Sequence, residues 1–441
     1  VISVPAKNRL PAAGAARLSS DTFWMAALLV VMISKVGDWV QALSGVPLVK
    51  ITFAITLIVT LRAGKLPSPI RALSLRVARP AVAFQLLSMA SILFSVYKSQ
   101  TLIDMQSSVI YLIALVLLVK ITESAQDLAR LLKGFAIAGV LLAAGTLINF
   151  AGGRANMEAW NSNDIAYALV TLLPLVLAQR EERSRVARLA VYGLALLMVI
   201  ATFLTGSRGG IIGLAVVVAC VSMFPLGADK SGRLRSFNPG GALLRILPML
   251  AVGMLVWAHL PAETTERIAT LEDLKGDYNL SSTTEASRTL IWRRDVGFAL
   301  RRPIGYGMGS SERVDGVLGN GQWKAAHNSL VQVLVELGIL GLIVYLTAYY
   351  RAWRGLAAVQ AMHRRSATPE GARLALYARA LSIALAGNFA AGFFLSQAYS
   401  ALLWMLIAVC AALVRIGAPA YGVIADARIL RAAPGGEIAA K

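Results

Sequence analysis

Apolar residues in this chain gather into run after run of membrane length, separated by short polar connections. Twelve runs stand out, at approximately 23–40, 47–61, 80–97, 105–121, 128–151, 165–179, 187–204, 209–226, 242–260, 328–350, 374–395 and 401–416. A helix needs roughly 20 mostly apolar residues to cross the hydrocarbon of a bilayer. Backbone exposed to lipid must also satisfy its own hydrogen bonds, which an α-helix does. The pattern therefore predicts an all-α, polytopic integral membrane protein with about 12 transmembrane helices. The first two runs are short and partly polar, and no internal repeat or low-complexity domain interrupts the series.

The connections carry a second pattern. Lys7, Arg9 and Arg17 precede the first run, and Arg62, Lys65, Arg71, Arg76 and Arg79 follow the second. Arg180, Arg183, Arg185 and Arg188 follow the sixth run, and Lys230, Arg233, Arg235 and Arg245 follow the eighth. Arg351, Arg354, Arg364, Arg365 and Arg373 follow the tenth. In a twelve-crossing layout all of these fall on one face, and cationic connections mark the cytoplasmic side. The expected organisation is a cytoplasmic N-terminus at 1–20, nine helices over 21–260, an outer loop containing a helix at 261–326, three helices over 327–417, and a cytoplasmic tail at 418–441. The tail reads as an amphipathic stretch followed by disorder.

Composition agrees with a bilayer as the principal surroundings: 441 residues, 57% hydrophobic and only 15% charged. Lys and Arg number 43 against 23 Asp and Glu, a net charge of +20. Topology accounts for that excess, so nucleic acid is not an expected partner. Cys220 and Cys410 both lie inside apolar runs without metal-ligand spacing, and a disulfide framework is not expected. Residues 1–20 are basic, and the first apolar run does not resemble a cleaved leader.

The connection 261–326 breaks the charge rule. It opens acidic, with Glu263, Glu266, Glu272, Asp273, Asp277 and Glu285, and turns basic, with Arg288, Arg293, Arg294, Arg301, Arg302 and Arg313. Arginines on the outer face against the topological preference point to a task. Ser282 and Glu285 have capping-box spacing and predict a helix over 283–300, with Arg288 and Trp292 one turn apart on a shared face. The turn Pro303-Ile304-Gly305-Tyr306-Gly307-Met308-Gly309 follows, and glycine at every second position resembles a backbone cradle. His327, one of three histidines, directly precedes Asn328 and Ser329, both natural helix caps. A neutral imidazole there can take a proton from a hydroxyl near neutral pH, or can serve only as a cap.

Arg208 lies in Thr205-Gly206-Ser207-Arg208-Gly209-Gly210, an outer turn between two apolar runs. Free helix N-terminal amides and a guanidinium fork suit phosphate, whereas the alternative for such an arginine is snorkelling to lipid headgroups. Glu336 stands nine residues beyond His327, nearly opposite on the helix and roughly 13 Å deeper, and needs an intramembrane partner. An Asp-x-Asp pair, a Walker A loop, a His-Glu-x-x-His motif and a Cys/His cluster are all missing from the sequence. Nucleotide hydrolysis and metal-dependent glycosyl transfer therefore lack their usual ligands.

As an ordered set between residues 205 and 341, several landmarks resemble the O-antigen ligase/polymerase superfamily. They are Thr205-Gly206-Ser207-Arg208-Gly209-Gly210, Arg288 with Ile291-Trp292, 303–309, His327-Asn328-Ser329-Leu330, and Glu336-x-Gly338-x-x-Gly341. Asn161-Ser162-Asn163-Asp164, opening the sixth run, is similar to a further polar landmark of that family. The resemblance implies a helical fold like that of GT-C membrane glycosyltransferases and an enzyme that needs neither cofactor nor metal. The implied donor is an O-antigen polysaccharide on undecaprenyl pyrophosphate, used at the periplasmic face of a bacterial inner membrane. In the ligase branch the acceptor is a sugar hydroxyl of lipid A-core. Carried over residue by residue, Arg208 and Arg288 would grip the pyrophosphate and His327 would activate the acceptor. Asn328 and Asn161 would contact substrate. Direct displacement would invert the anomeric configuration. An O-antigen polymerase and a protein O-oligosaccharyltransferase share this chemistry. The ligase is favoured by the single principal outer loop and by the lack of an added soluble C-terminal domain. A twelve-helix transporter fits less well, because the halves show no repeat and the polar landmarks cluster on one face.

Overall fold

The computed structural model describes residues 20–65, 72–150, 155, 157, 161–180, 184–227, 234–235, 237, 239–269, 287–319, 323–364, 366 and 368–422. These residues form helices and no β-strand, as the apolar runs require. In chain order the helices are α1 (Ser20–Ser34), α2 (Val36–Trp39), α3 (Leu48–Arg62), α4 (Ala78–Ala90), α5 (Lys98–Ile121), α6 (Ala125–Ile148), α7 (Ser162–Leu177), α8 (Arg185–Leu204), α9 (Arg208–Met223), α10 (Pro239–Ala258), α11 (Ala262–Ala269), α12 (Arg288–Arg301), α13 (Ser311–Leu318), α14 (Ser329–His363), α15 (Pro369–Gly392), α16 (Ala401–Gly417) and α17 (Pro419–Gly422). Each of the twelve apolar runs coincides with a helix. Seven helices among the described residues are long and apolar enough to cross a membrane, and α1, α4, α9 and α16 are shorter apolar helices. The protein is thus an all-α polytopic membrane protein.

The most enclosed elements are α7 and α16. From Leu402 to Val414 every residue of α16 is buried, with the Trp404 ring stacked 4.4 Å from that of Phe84 on α4. α7 packs against α6, α8, α9 and α15. Close approach there depends on small residues, as is usual where helices meet in lipid. A Cβ on Gly213 of α9 would lie 3.0 Å from Ala391 of α15 and 3.1 Å from Val170 of α7. α10 is the opposite case, since Ala242 is its one buried residue and its leucines face outward.

Three departures from the apolar pattern shape the site. The first run is not continuous: α1 stops at Ser34 and Lys35 adopts φ 47°, ψ 39° before α2 begins. The helix of the long connection opens at Arg288 on an extended Ser287, whose hydroxyl accepts from the Leu290 N–H. That is later than the start expected at 283, and Ser282 and Glu285 lie outside the described residues, as do Glu272, Asp273 and Asp277. α14 runs to His363, well past the expected end of its run, and is broken at Gly338 (φ 68°, ψ −165°). Of the tail, 419–422 form α17 and the remainder lies outside the described residues.

The Gly338 break explains the glycine-spaced turn 303–309. A broken helix strands carbonyl and amide groups, and at membrane depth these must find protein partners. The turn supplies them: Tyr306 N–H donates to Val335 O (2.9 Å), Gly307 N–H to Glu336 O (2.8 Å), and Ile339 N–H to Pro303 O (3.0 Å). Gly305, Gly307 and Gly309 have φ of 89°, 100° and 72°, and a Cβ on Gly305 would sit 2.5 Å from Glu336 O. These glycines serve close backbone docking. On its other side the turn meets the end of α4 and the start of α5, where Met308 N–H donates to Ser91 Oγ (3.0 Å) and Thr101 Oγ1 to Met308 O (2.7 Å). Glu336 finds its intramembrane partners here too, its two oxygens accepting from Gly309 N–H (3.0 Å) and Ser311 N–H (3.2 Å).

Candidate active site

Four helices, α7, α9, α12 and α14, start at one end of the bundle, each on a capping side chain. Asn161 Oδ1 accepts from the amides of Asn163 and Asp164, Ser207 Oγ from Gly210, Ser287 Oγ from Leu290, and Asn328 Oδ1 from Leu330 and Val331. The oxygens of Asn161 and Asn328, two residues expected to contact substrate, are therefore engaged as caps. Asn328 is also buried, whereas Asn161 is exposed.

The connection between α15 and α16, residues 393–400, ties these four starts together. Gly209 of α9 lies against Phe394, where an added Cβ would be 2.8 Å from the Phe394 Cβ. Arg288 Nη1 donates to Phe394 O at 3.4 Å. Ser329 Oγ donates to Leu395 O (2.7 Å) and accepts from Gln397 N–H (3.0 Å). Gln397 Nε2 donates to Asp164 Oδ1 (2.6 Å), while Asn161 Nδ2 holds the other oxygen of Asp164 (2.7 Å). Gly209, next to Arg208, and Arg288, far apart in sequence, thus meet at Phe394.

Both arginines occupy the first position of a helix whose first turn holds no acid. The helix macrodipole leaves positive partial charge there, so a cation is unfavourable by about 0.3–1 kcal/mol. Structure alone is poorly served by such a placement, whereas binding an anion is well served. At the opposite end of the bundle the arginines do the ordinary job. Arg180 donates to Leu226 O, Arg379 to Pro225 O (2.9 Å) and Arg415 to Thr122 O, all carbonyls near helix ends.

His327 lies directly before Asn328 in a left-handed backbone conformation (φ 47°), uncommon for a non-glycine residue. Its imidazole is held down to about 4 by burial, then by the positive charges of Arg288 and Lys324. It is therefore neutral at physiological pH and stands within the electrostatic reach of Arg288. Trp292, one turn along α12 from Arg288, donates to Ala326 O (2.6 Å) and meets the Phe393 ring edge-on at 5.7 Å. That contact locks α12 onto the backbone just before His327. Behind it, Asp295 is buried with no hydrogen-bond partner for its carboxyl among the described residues. Burial and neighbouring Asp315 push it up to about 8. Among the described residues no group of three His, Cys, Asp or Glu is placed to hold a metal ion.

The hub residues Phe394, Gln397 and Asp164, and Lys324 beside His327, have no individual part in the sequence-based site. The available signal was the polar interruption Ser396-Gln397 between two apolar runs, together with Asp164 at the start of another.

Fold and site together define a polytopic membrane protein with two arginines at helix starts at one end of a helical bundle, one of them near a neutral histidine. Residues 193–346, which include Arg208, Arg288, His327 and Glu336, match the family model described as O-Antigen ligase. The chain is also similar to a protein of Rickettsia conorii named "Putative polysaccharide ligase", with 32% identity over 91 residues. That match covers 18% of this chain and 22% of the length of the relative.

Proposed function

We propose that the protein is a glycosyltransferase of the ligase type, moving a polysaccharide from undecaprenyl pyrophosphate to a sugar hydroxyl of lipid A-core at the periplasmic face of a bacterial inner membrane. The observation that carries this reading is the convergence of two arginine-bearing helix starts on Phe394, with Gly209, next to Arg208, against its side chain, Arg288 donating to its carbonyl, and His327 within reach of the Arg288 charge. Two arginines carried to one end of the bundle by helix starts suit a pyrophosphate, which Arg binds in a bidentate fashion.

In the proposed reaction the acceptor hydroxyl attacks the anomeric carbon of the donor. The glycosyl–phosphate C–O bond breaks, and the pyrophosphate leaves with the bonding pair. Arg208, Arg288 and the amides of the helix starts stabilise the charge that grows on the leaving oxygen. His327, neutral before the step, takes the hydroxyl proton, a contribution of about 10²–10⁴ in rate. No covalent sugar-enzyme intermediate forms, so the anomeric configuration inverts. The arginines supply the positive charge that a divalent metal provides elsewhere, and the reaction needs neither metal nor ATP.

The test is reconstitution in lipid nanodiscs with undecaprenyl-pyrophosphate glycan and lipid A-core, in EDTA and without ATP. Ligated, inverted product is expected. A strict divalent-metal requirement would sink the metal-free mechanism. Lengthening of the lipid-linked glycan in place of transfer to the core would make the protein a polymerase, and transfer to a Ser or Thr acceptor an oligosaccharyltransferase. His327→Ala should abolish turnover and leave donor binding intact. Arg208→Ala and Arg288→Ala should each weaken donor binding, and unchanged affinity in both would remove the anion grip.

A further inference from the structure

The segment that leads into His327 carries an aromatic residue that neither the core nor the arginine site uses. Trp323 stands four residues before His327 with φ 51°, a left-handed conformation that a bulky residue seldom adopts, and it is 52% exposed. Its indole is seated on α13. A Cβ built on Gly316 would lie 2.3 Å from Trp323 Cδ2, 2.5 Å from Cε2 and 2.7 Å from Cγ, so the glycine lies beneath the middle of the ring and covers one face. The exposure therefore belongs to the other face and the edge. The preceding residue of α13 fixes the backbone: Asp315 Oδ2 accepts from Lys324 N–H (3.3 Å), while Arg294 of α12 holds Asp315 Oδ1 (2.9 Å). Trp292 Nε1 fixes the same stretch at Ala326 O (2.6 Å). A left-handed tryptophan, a glycine inside an eight-residue helix and an uncovered indole are each unfavourable for folding alone. Together they hold a flat aromatic surface rigidly close to the candidate base.

We propose that Trp323 is a stacking platform for a sugar ring of the acceptor, so that acceptors presenting the apolar C–H face of a pyranose near the attacking hydroxyl are selected. The inference rests on the proposed transfer to a sugar hydroxyl activated by His327. Four residues of chain span at most about 14 Å, so a short oligosaccharide with its reacting sugar at His327 reaches the indole. The C–H groups of a pyranose face carry partial positive charge, which the negative face of an aromatic ring attracts. Stacking also takes apolar area of both partners out of water. Lys324, exposed next to Trp323 and near enough to His327 for its charge to be felt there, adds ammonium donors for sugar hydroxyls at the rim. A tryptophan of the membrane-interface belt sits at the end of a spanning helix at headgroup level. Trp323 is seated instead on α13, a short helix outside the spanning set.

Acceptor kinetics test the platform. Trp323→Ala should raise KM for the acceptor at least about tenfold and change kcat by less than about twofold, as loss of binding shared by ground and transition states does. Trp323→Phe, which keeps a smaller ring, should recover most of that loss, and KM for the donor should stay within about twofold in both variants. An unchanged acceptor KM in Trp323→Ala would overturn the proposal. So would an equal rise for donor and acceptor, the result expected of a bilayer anchor. A second measurement stands apart from turnover and guards against misfolded variants. In saturation-transfer NMR, irradiating aromatic protons of the wild-type protein should label the sugar protons of a lipid-free core oligosaccharide, and Trp323→Ala should lose that transfer. Equal transfer in the two proteins would overturn the platform. Failure of the underlying reading looks different: the wild type would then bind the oligosaccharide through Trp323 and attach no glycan to it.

Discussion

His327 combines two costs that a residue with only a structural role would avoid. Its backbone sits at φ 47°, a conformation that costs of order 1–3 kcal/mol for a non-glycine residue. Its imidazole is half-buried, near two cations that oppose its protonation. A base held near 4 is neutral and available at pH 7, and activity is lost only as pH falls through that value. The acid limb of kcat/KM, which reports the free enzyme, is therefore expected near 4 and not near the ordinary histidine value of about 6.5. When a pyrophosphate binds at Arg288, its negative charge offsets the guanidinium, and the imidazole becomes more basic. The acid limb of kcat should then lie at higher pH than that of kcat/KM. Coincident limbs in a full pH–rate profile would show that donor charge is not felt at His327.

Among the elements, α14 carries the geometry of the site. Its first two turns bear Asn328, Ser329 and Glu336, and the break at Gly338 sets their direction relative to the long remainder of the helix. Any Cβ at Gly338 would be driven into Pro303 O, and its φ of 68° with ψ of −165° suits glycine alone. Gly338→Ala should therefore lower stability by at least about 2 kcal/mol, measured as a fall in melting temperature in detergent. An unchanged melting temperature would mean that the break can move. The 393–400 connection is the second decisive element, through Gln397. Gln397→Leu removes the bond to Asp164 and leaves that carboxylate to Asn161 and the charge of Lys35. With the starts of α7 and α14 uncoupled, turnover should fall about 10–100-fold, since misplacement of roughly 1 Å at a reacting centre has that effect. Melting temperature should change little, and single-turnover assays beside thermal melts separate the two outcomes.

At the scale of the whole molecule, two groups of arginines differ by the helix ends they meet. Arg180, Arg379 and Arg415 at one end rest on carbonyls near helix C-termini, whereas Arg208 and Arg288 at the other stand at N-termini. If the first population faces the cytoplasm, single cysteines introduced at exposed Asn161 and at exposed Ser184 should label from opposite sides of sealed, oriented membranes. The first should react with an impermeant maleimide from the periplasmic side. Labelling of both from one side would refute the proposed orientation.

All twelve apolar runs became helices, because burying or lipid-facing apolar length with a self-satisfied backbone is a local property that composition alone specifies. Arg208, Arg288 and His327 were legible as candidates for a similar reason: each interrupts an apolar context in a way that topology leaves unexplained. Their relation to one another was not legible. Nothing in the sequence ties Gly209, Arg288, Ser329 and Asp164 to one short connection after α15, since those contacts bridge up to 233 positions and depend on how helices pack. The glycine turn shows the same limit. Its spacing correctly marked unusual backbone, but only packing against the broken α14 revealed that its amides serve Glu336 and the helix break. Hydrophobic length and capping residues therefore determined the elements of this protein and its candidate chemistry. The tertiary structure decided which helix starts face one another, because that choice is made by close contacts of small residues and a few hydrogen bonds between segments distant in the chain.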